Sequence, residues 1–349
     1  MKEYRGILAL LLALCLLLTA CAPASTSVSV PVESTGLTVY YLDVGQADAA
    51  VLLCDGQVMM IDGGNAGDSD FIYAWLERKG IDEIDVMVCS HSHEDHVGGL
   101  SGALNYARVT TAYASVDDAD TKVFQSFVHY LDEQNVSITI PEAGDTFALG
   151  GAQVEFLGPV EDYDDPNNTS LVLRVTYGEV SFLFTGDMET KSEQDMLDTY
   201  WDLSATVLKV AHHGSDTSSC EEFLQEVDPD YAVISVGTDN EYGHPMPVVL
   251  ERLAAQGVPV YRTDELGTIC CTSDGKTVTF SAEKTEELPV AMPEPQPAVS
   301  AVTYIGNQNT EKFHQTDCGK LPDTENQVIF DSRQAAVDAG YSPCGICKP

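Results

Sequence analysis

Ser90-His91-Ser92-His93-Glu94-Asp95-His96-Val97-Gly98-Gly99 sets three imidazoles and an aspartate side by side, directly after the apolar run Ile84–Cys89. No other stretch limits the fold more, because such a density of lone pairs is expected where the backbone gathers them around a cation. The run before it reads as a short buried strand, and Gly98-Gly99 followed by Leu100 and Leu104 reads as the start of a helix. The ligand candidates therefore sit where a strand ends. His91 and His93, two apart in extended chain, point to one side, whereas Asp95 and His96 lie on the next turn and can face a second ion. Imidazole nitrogen and carboxylate oxygen together suit Zn²⁺, and suit Mn²⁺ or Fe²⁺ as well.

This cluster is the signature of the metallo-β-lactamase superfamily, which the chain resembles over residues 36–282. Four further stretches narrow the resemblance: Leu42-Asp43-Val44-Gly45-Gln46-Ala47-Asp48-Ala49, Leu183-Phe184-Thr185-Gly186-Asp187, Leu208-Lys209-Val210-Ala211-His212-His213-Gly214-Ser215 and Tyr242-Gly243-His244-Pro245. With the cluster, and in this order, they are similar to the hydrolase domain of the ComEC competence proteins.

The resemblance implies an α/β chain folded as an αββα sandwich, with two divalent metals, Zn or Mn, at its rim. Asp187 takes the place of the carboxylate that bridges both ions. His213 or His212 completes the second metal with Asp95, His96 and Asp187; His213 is favoured because it stands directly before the glycine. Asp62, before Gly63-Gly64, supports a ligand loop from behind. Many superfamily members place another His between the cluster and the bridging Asp, and here that interval holds only His129, inside the helical stretch Phe127–Leu131. The first metal is then left with His91, His93 and Asp187, assisted by Asn168, Thr169 or Ser170, which argues against a true β-lactamase. Asp48, Ser215 and His244 are candidates for substrate contact or proton transfer, beside Asp95.

Seventeen Lys plus Arg against fifty-five Asp plus Glu give a formal charge of −38. That balance opposes non-specific attraction to phosphate backbones, so an anionic substrate must be held by metal or by a local patch. Two ions supply hydroxide near neutral pH by lowering the pKa of water to about 7, and neutralise a phosphodiester's oxygens under attack.

Lys2 and Arg5 followed by the apolar Ile7–Leu18 form an export signal, shorter than the roughly 20 residues of a spanning helix. Leu18-Thr19-Ala20-Cys21 resembles a bacterial lipobox and implies cleavage after residue 20 and lipidation of Cys21. At about 0.8 kcal/mol per buried CH₂, two acyl chains hold a protein on a membrane. The mature chain is expected at the extracellular face of the cytoplasmic membrane as a lipoprotein. Residues 21–35, rich in Pro, Ser, Thr and Val, read as a flexible tether. Of the ten cysteines, Cys54, Cys89 and Cys270 lie in apolar runs and read as buried thiols, and the adjacent Cys270 and Cys271 cannot both face inward.

Apolar runs at 38–44, 49–54 and 58–62, then a helix over 71–79, give the order β-β-β-α-β-ligands. A second half has strands at 109–114, 154–157, 171–177, 180–184, 206–211, 231–236 and 258–261, with helices over 120–134, 189–200 and 248–256. Residues 283–299, with Pro289, Pro293, Pro295 and Pro297, read as a linker. Residues 300–349 change composition and form a module too small for a comfortable core. Within it His314, Cys318, Cys344 and Cys347 make two close ligand pairs, the spacing of a structural Zn. From Phe330 to Pro349 the module resembles the metal-binding domain of the Ada repair protein, with His314 in place of one cysteine.

These readings combine into a lipid-anchored extracellular metal-dependent hydrolase, a phosphodiesterase or nuclease cutting single-stranded DNA. The rivals are a cell-envelope phosphoesterase acting on choline phosphate or teichoic acid, and a non-catalytic surface DNA-binding protein.

Overall fold

Short apolar runs broken by turns at positive-φ glycines become two facing sheets. The structure, a computed structural model, describes residues 36–284 and 304–347 apart from 317, 331, 332, 345 and 346. The export signal, Cys21, the tether and most of the Pro-rich linker lie outside the described residues. No described helix is long and apolar enough to cross a membrane.

In chain order the strands of the larger region are β1 (Leu37–Tyr41), β2 (Ala50–Cys54), β3 (Gln57–Ile61), β4 (Glu83–Cys89), β5 (Arg108–Ala114), β6 (Ile138–Thr139), β7 (Thr146–Leu149) and β8 (Ala152–Gly158). They continue with β9 (Val172–Tyr177), β10 (Val180–Phe184), β11 (Val207–Lys209), β12 (Tyr231–Ile234), β13 (Val260–Arg262), β14 (Ile269–Ser273) and β15 (Val278–Ala282). One sheet has the order β15-β14-β1-β2-β3-β4-β5-β6 and the other β13-β12-β11-β10-β9-β8-β7. Each runs antiparallel at one end and parallel at the other, β3 to β6 and β10 to β13 being the parallel parts.

Burial by alternation builds the layers. Leu52, Met59, Val88, Phe156 and Phe182 belong to one buried cluster between the sheets. The opposite faces pack on helices: Trp75, Leu76, Phe124 and Phe127 behind the first sheet, Phe223, Leu224 and Leu253 behind the second. The helix Ser69–Lys79 ends at Gly80 in the left-handed conformation that closes a helix C-terminus. Thr121 starts Lys122–Glu133, its hydroxyl accepting from Phe124 N at 3.3 Å. This is the αββα sandwich.

Differences from the sequence-based expectation lie at edges and in connections. The strand expected over 206–211 stops at Lys209, because His212 and His213 take left-handed φ of 50° and 54°. The helix expected to reach Tyr200 stops at Leu197. The helix Glu221–Val227 and strands β7, β14 and β15 carry too little local pattern to be read. β14 pairs along the whole of β1, from Leu37–Ser273 to Tyr41–Ile269, so the last strands close the sheet beside the first. Cys271 faces the core and Cys270 is half-buried; no disulfide links the described cysteines.

The small module is a four-stranded sheet of β16 (Tyr304–Asn307), β17 (Lys312–Gln315), β18 (Gln327–Phe330) and β19 (Ser342–Pro343), ordered β18-β16-β17-β19. Among the described residues its apolar centre is Phe313, Phe330 and Ala336 with partly buried neighbours.

Candidate metal centre

Every ligand-bearing loop leaves the carboxyl end of a strand: β3 ends before Asp62, β4 before His91, β10 before Asp187 and β11 before His213. The loops are stitched together by main chain, with Gly63 N on His96 O at 2.7 Å and His212 N on Gly186 O at 3.1 Å. Gly99 must be glycine, since a Cβ there would lie 2.0 Å from Gly63 O. Asp62, His212 and His213 all adopt left-handed φ. Such conformations cost about 1–3 kcal/mol each in non-glycine residues and persist where surrounding contacts over-determine them.

Asp95, His96, Asp187 and His213 each offer one ligand atom, all within 4.8 Å of one another. His96 Nε2 lies 3.2 Å from Asp187 Oδ1, and His213 Nε2 lies 3.2 Å from Asp95 Oδ2 and 3.5 Å from Asp187 Oδ2. Beside this group His91 Nε2 and His93 Nδ1 stand 3.1 Å apart, and the His91 and His96 rings are 4.1 Å apart. One four-ligand position results, with the two Asp187 carboxylate oxygens turned to His96 and His213, and the His91–His93 pair stands beside it.

The residues fit ions on two grounds. His96 Nε2 and Asp187 Oδ1 are buried, face each other and make no hydrogen bond, an arrangement a shared cation satisfies. The distal ring nitrogens are also fixed from behind: His96 Nδ1 meets Asp62 Oδ2 at 2.9 Å and His213 Nδ1 meets Ser235 O at 3.0 Å. With those protons held at Nδ1, both Nε2 lone pairs point inward.

Asp62 also accepts from Ser90 N and Ser90 Oγ, both at 2.7 Å. Ser170 Oγ lies 3.4 Å from His91 Nδ1 and accepts from Asp187 N at 3.0 Å, at the flank where a further imidazole is lacking. Asn168 Oδ1 accepts from Glu189 N and Ser192 N, anchoring the helix Thr190–Leu197 that follows Asp187. Ser215 is buried and bonds within its own loop to Thr217. His129 sits on the exposed helix face beside Glu133, far from any ligand role.

Asp48 is buried rather than open to substrate. Its Oδ2 pairs with Lys209 Nζ at 2.7 Å and its Oδ1 is 3.3 Å from His213 Nδ1, so it acts on the site through those two groups. Lys209 had no role in the sequence reading, although a lysine inside the apolar Val207–Val210 is a signal that a buried acid awaits it. His212 is partly exposed, with Nδ1 3.5 Å from Glu189 and Nε2 3.8 Å from Asp187. His244 is half-buried at the rim, its ring 5.7 Å from that of His212, and its backbone is held by Asn240.

Electrostatics separate the imidazoles. Burial opposes charge on His96, yet Asp187 and Asp62 hold its pKa well above the ordinary value. His213 behaves likewise, burial being outweighed by Asp187 and Asp48, and is raised to about 10. Burial together with neighbouring imidazoles pushes His91 well down and His244 to about 4. Burial would raise Asp187, but His96 and His213 keep it well below the carboxylate range. His244 is thus a neutral imidazole at pH 7 and a weak base.

In the C-terminal module His314, Cys318, Cys344 and Cys347 also place ligand atoms within 4.8 Å. His314 is buried with Nε2 unbonded, and its Nδ1 is 3.4 Å from Cys318 Sγ. Four soft ligands gathered under so small a core match a structural metal.

Residues 42–238 match the family model described as Metallo-beta-lactamase superfamily, and residues 291–349 that described as Metal binding domain of Ada. ComE operon protein 3 of Bacillus subtilis is 32% identical over 72% of this chain and 35% of its own length. Competence protein ComA of Neisseria gonorrhoeae is 33% identical over 69% of this chain and 33% of its own length. The chain thus spans about a third of these relatives. Among solved structures, the metallo-beta-lactamase fold protein YhfI of Bacillus subtilis aligns with 71% of this chain and 100% of its own at 12% identity and a TM-score of 0.45. The chain belongs to the metallo-β-lactamase superfamily, and its residues 291–349 match the metal-binding domain of Ada.

Proposed function

We propose that this chain is a phosphodiesterase that cuts single-stranded DNA, working from a lipid anchor on Cys21 at the extracellular face of the cytoplasmic membrane. The observation that carries the reading is the ligand group Asp95, His96, Asp187 and His213 with the His91–His93 pair beside it, which suits a substrate whose phosphate oxygens need neutralising. The competence names of the matched relatives support DNA as that substrate.

Bound divalent ions supply Lewis acidity toward the phosphodiester and an ionised water near neutral pH. Asp62 and Ser235 O hold His96 and His213 in the tautomer that leaves Nε2 free, and Lys209 with Asp48 fixes the wall behind His213. His244, neutral at the rim, would face the substrate as a hydrogen-bonding partner. The test is cleavage of labelled DNA with Mn²⁺ or Zn²⁺. No cleavage above that of an Asp95→Ala, His96→Ala double variant ends the proposal.

The charge of −38 favours a second reading, a cell-envelope phosphoesterase for choline phosphate or teichoic acid, selected by turnover of those esters but not DNA. Weak turnover with retained DNA binding, lost on deleting residues 300–349, selects instead a surface DNA-binding protein.

A further inference from the structure

Two partly exposed aromatic surfaces lie near the metal centre. On one side a cleft of about 990 Å³ is lined by Tyr163, Tyr200, Trp201, Ile140 and Thr169 among others. Tyr200 is 56% exposed, as large an apolar exposure as this surface shows beside Tyr242 at 68% and Ile329 at 61%. The cleft shares a wall with the centre. Thr169 lines it, and the next residue, Ser170, contacts His91 and Asp187. On the other side Tyr242 stacks on His244, ring centroids 5.6 Å apart and planes at 23°. His244 in turn lies 5.7 Å and 6.5 Å from the rings of His212 and His213.

Charge narrows what these surfaces hold. Among the described residues no Lys or Arg lines the cleft, whereas Glu142, Glu161 and Asp162 do. Carboxylates repel phosphate, so a polyanionic backbone is excluded from the cleft and directed to the ions. They accept hydrogen bonds from exocyclic amines of a base, and the rings offer it a stacking face. A base inside a duplex is stacked and paired, and cannot enter.

We propose that the Tyr200–Trp201 cleft and Tyr242 are stacking platforms for the unpaired bases on either side of the scissile phosphate, which makes the site selective for single strands. The proposal rests on the phosphodiesterase reading and adds the device that chooses the strand. Grip by stacking rather than by counterion release also gives the strand's KM little dependence on salt, against a steep loss where several phosphates meet basic side chains.

The experiment compares the full chain with Tyr200→Ala, Tyr200→Phe and Tyr242→Ala in Mn²⁺. The substrates are a single-stranded oligonucleotide, the same sequence as duplex, an oligonucleotide of abasic sugars, and bis(p-nitrophenyl) phosphate. Each Ala variant should raise KM for the single strand about tenfold more than for the small diester, Tyr200→Phe should restore it, and the abasic strand should not distinguish the proteins. Equal KM for the Ala variants, or equal cleavage of duplex, overturns the platforms while leaving the nuclease standing. Failure of the unaltered protein to cut any strand overturns both. Choline protecting the cleft competitively reassigns it to a cation.

Discussion

Replacing Asp62 by Asn changes one atom's chemistry and should disable a metal ligand it never touches. The Asp62 carboxylate takes three donors: Ser90 N, Ser90 Oγ and His96 Nδ1, at 2.7, 2.7 and 2.9 Å. An Asn of the same shape keeps one acceptor for Ser90 N, but turns an NH₂ toward His96 Nδ1. The imidazole then accepts at Nδ1 and carries its proton on Nε2, the nitrogen 3.2 Å from Asp187. Folding should suffer modestly. A charged acceptor becomes neutral, a loss of about 1–2 kcal/mol, and Ser90 Oγ can turn to His91 Nδ1 at 3.2 Å. Metal binding should suffer more selectively, by about 10–100-fold, or roughly 1.4–2.7 kcal/mol. Calorimetric titration with Mn²⁺, beside urea unfolding of the metal-free protein, separates the two effects. Metal affinity within twofold of the parent would refute the tautomer argument.

Proton linkage has a fixed sign here: His213, raised to about 10 from an ordinary 6.5, stabilises the metal-free fold below about 6.5 and loses that contribution as pH rises to about 10. The metal-free unfolding midpoint should therefore fall across that window while metal affinity rises, each uptake releasing protons; a flat affinity from pH 6 to 9 contradicts it. Lys209→Met leaves the buried Asp48 carboxylate with His213 as its one remaining cationic partner among the described residues. The cost is about 3–5 kcal/mol, roughly 10 °C in melting temperature, and a drop under about 2 °C would show the pair is not needed. Cys344→Ser should lower bound zinc by one ion per chain in native mass spectrometry and leave the hydrolase ions in place; unchanged stoichiometry would remove the C-terminal tetrad from consideration.

Much of the site was legible because metal ligation is local. His91, His93, Asp95 and His96 fall within a single loop, and Asp187 and His213 each follow a short apolar strand, so their chemistry and order could be read without coordinates. The same holds for the αββα layering, where β2 is apolar throughout, β10 is apolar but for Ser181, and both are buried on both faces. Reading failed where a residue's meaning depends on one distant in sequence. Asp48 looked like a group for substrate until Lys209 was found against it. The choice between His212 and His213 followed from their left-handed backbone, which turns one ring inward and leaves the other at the rim.

Composition and spacing determined the His91–His96 donor cluster, its strand-end placement and the metal-ligand spacing of the small module, since each follows from side-chain chemistry and period, while Asp187 and His213 came from the family resemblance. Tertiary structure decided that β14 and β15 close the sheet on β1, that Asp62 and Ser235 hold the distal nitrogens of His96 and His213, and that aromatic side chains lie near the ligand cluster. Those outcomes rest on burial and on approaches between segments far apart in the chain, where short-range pattern carries no information.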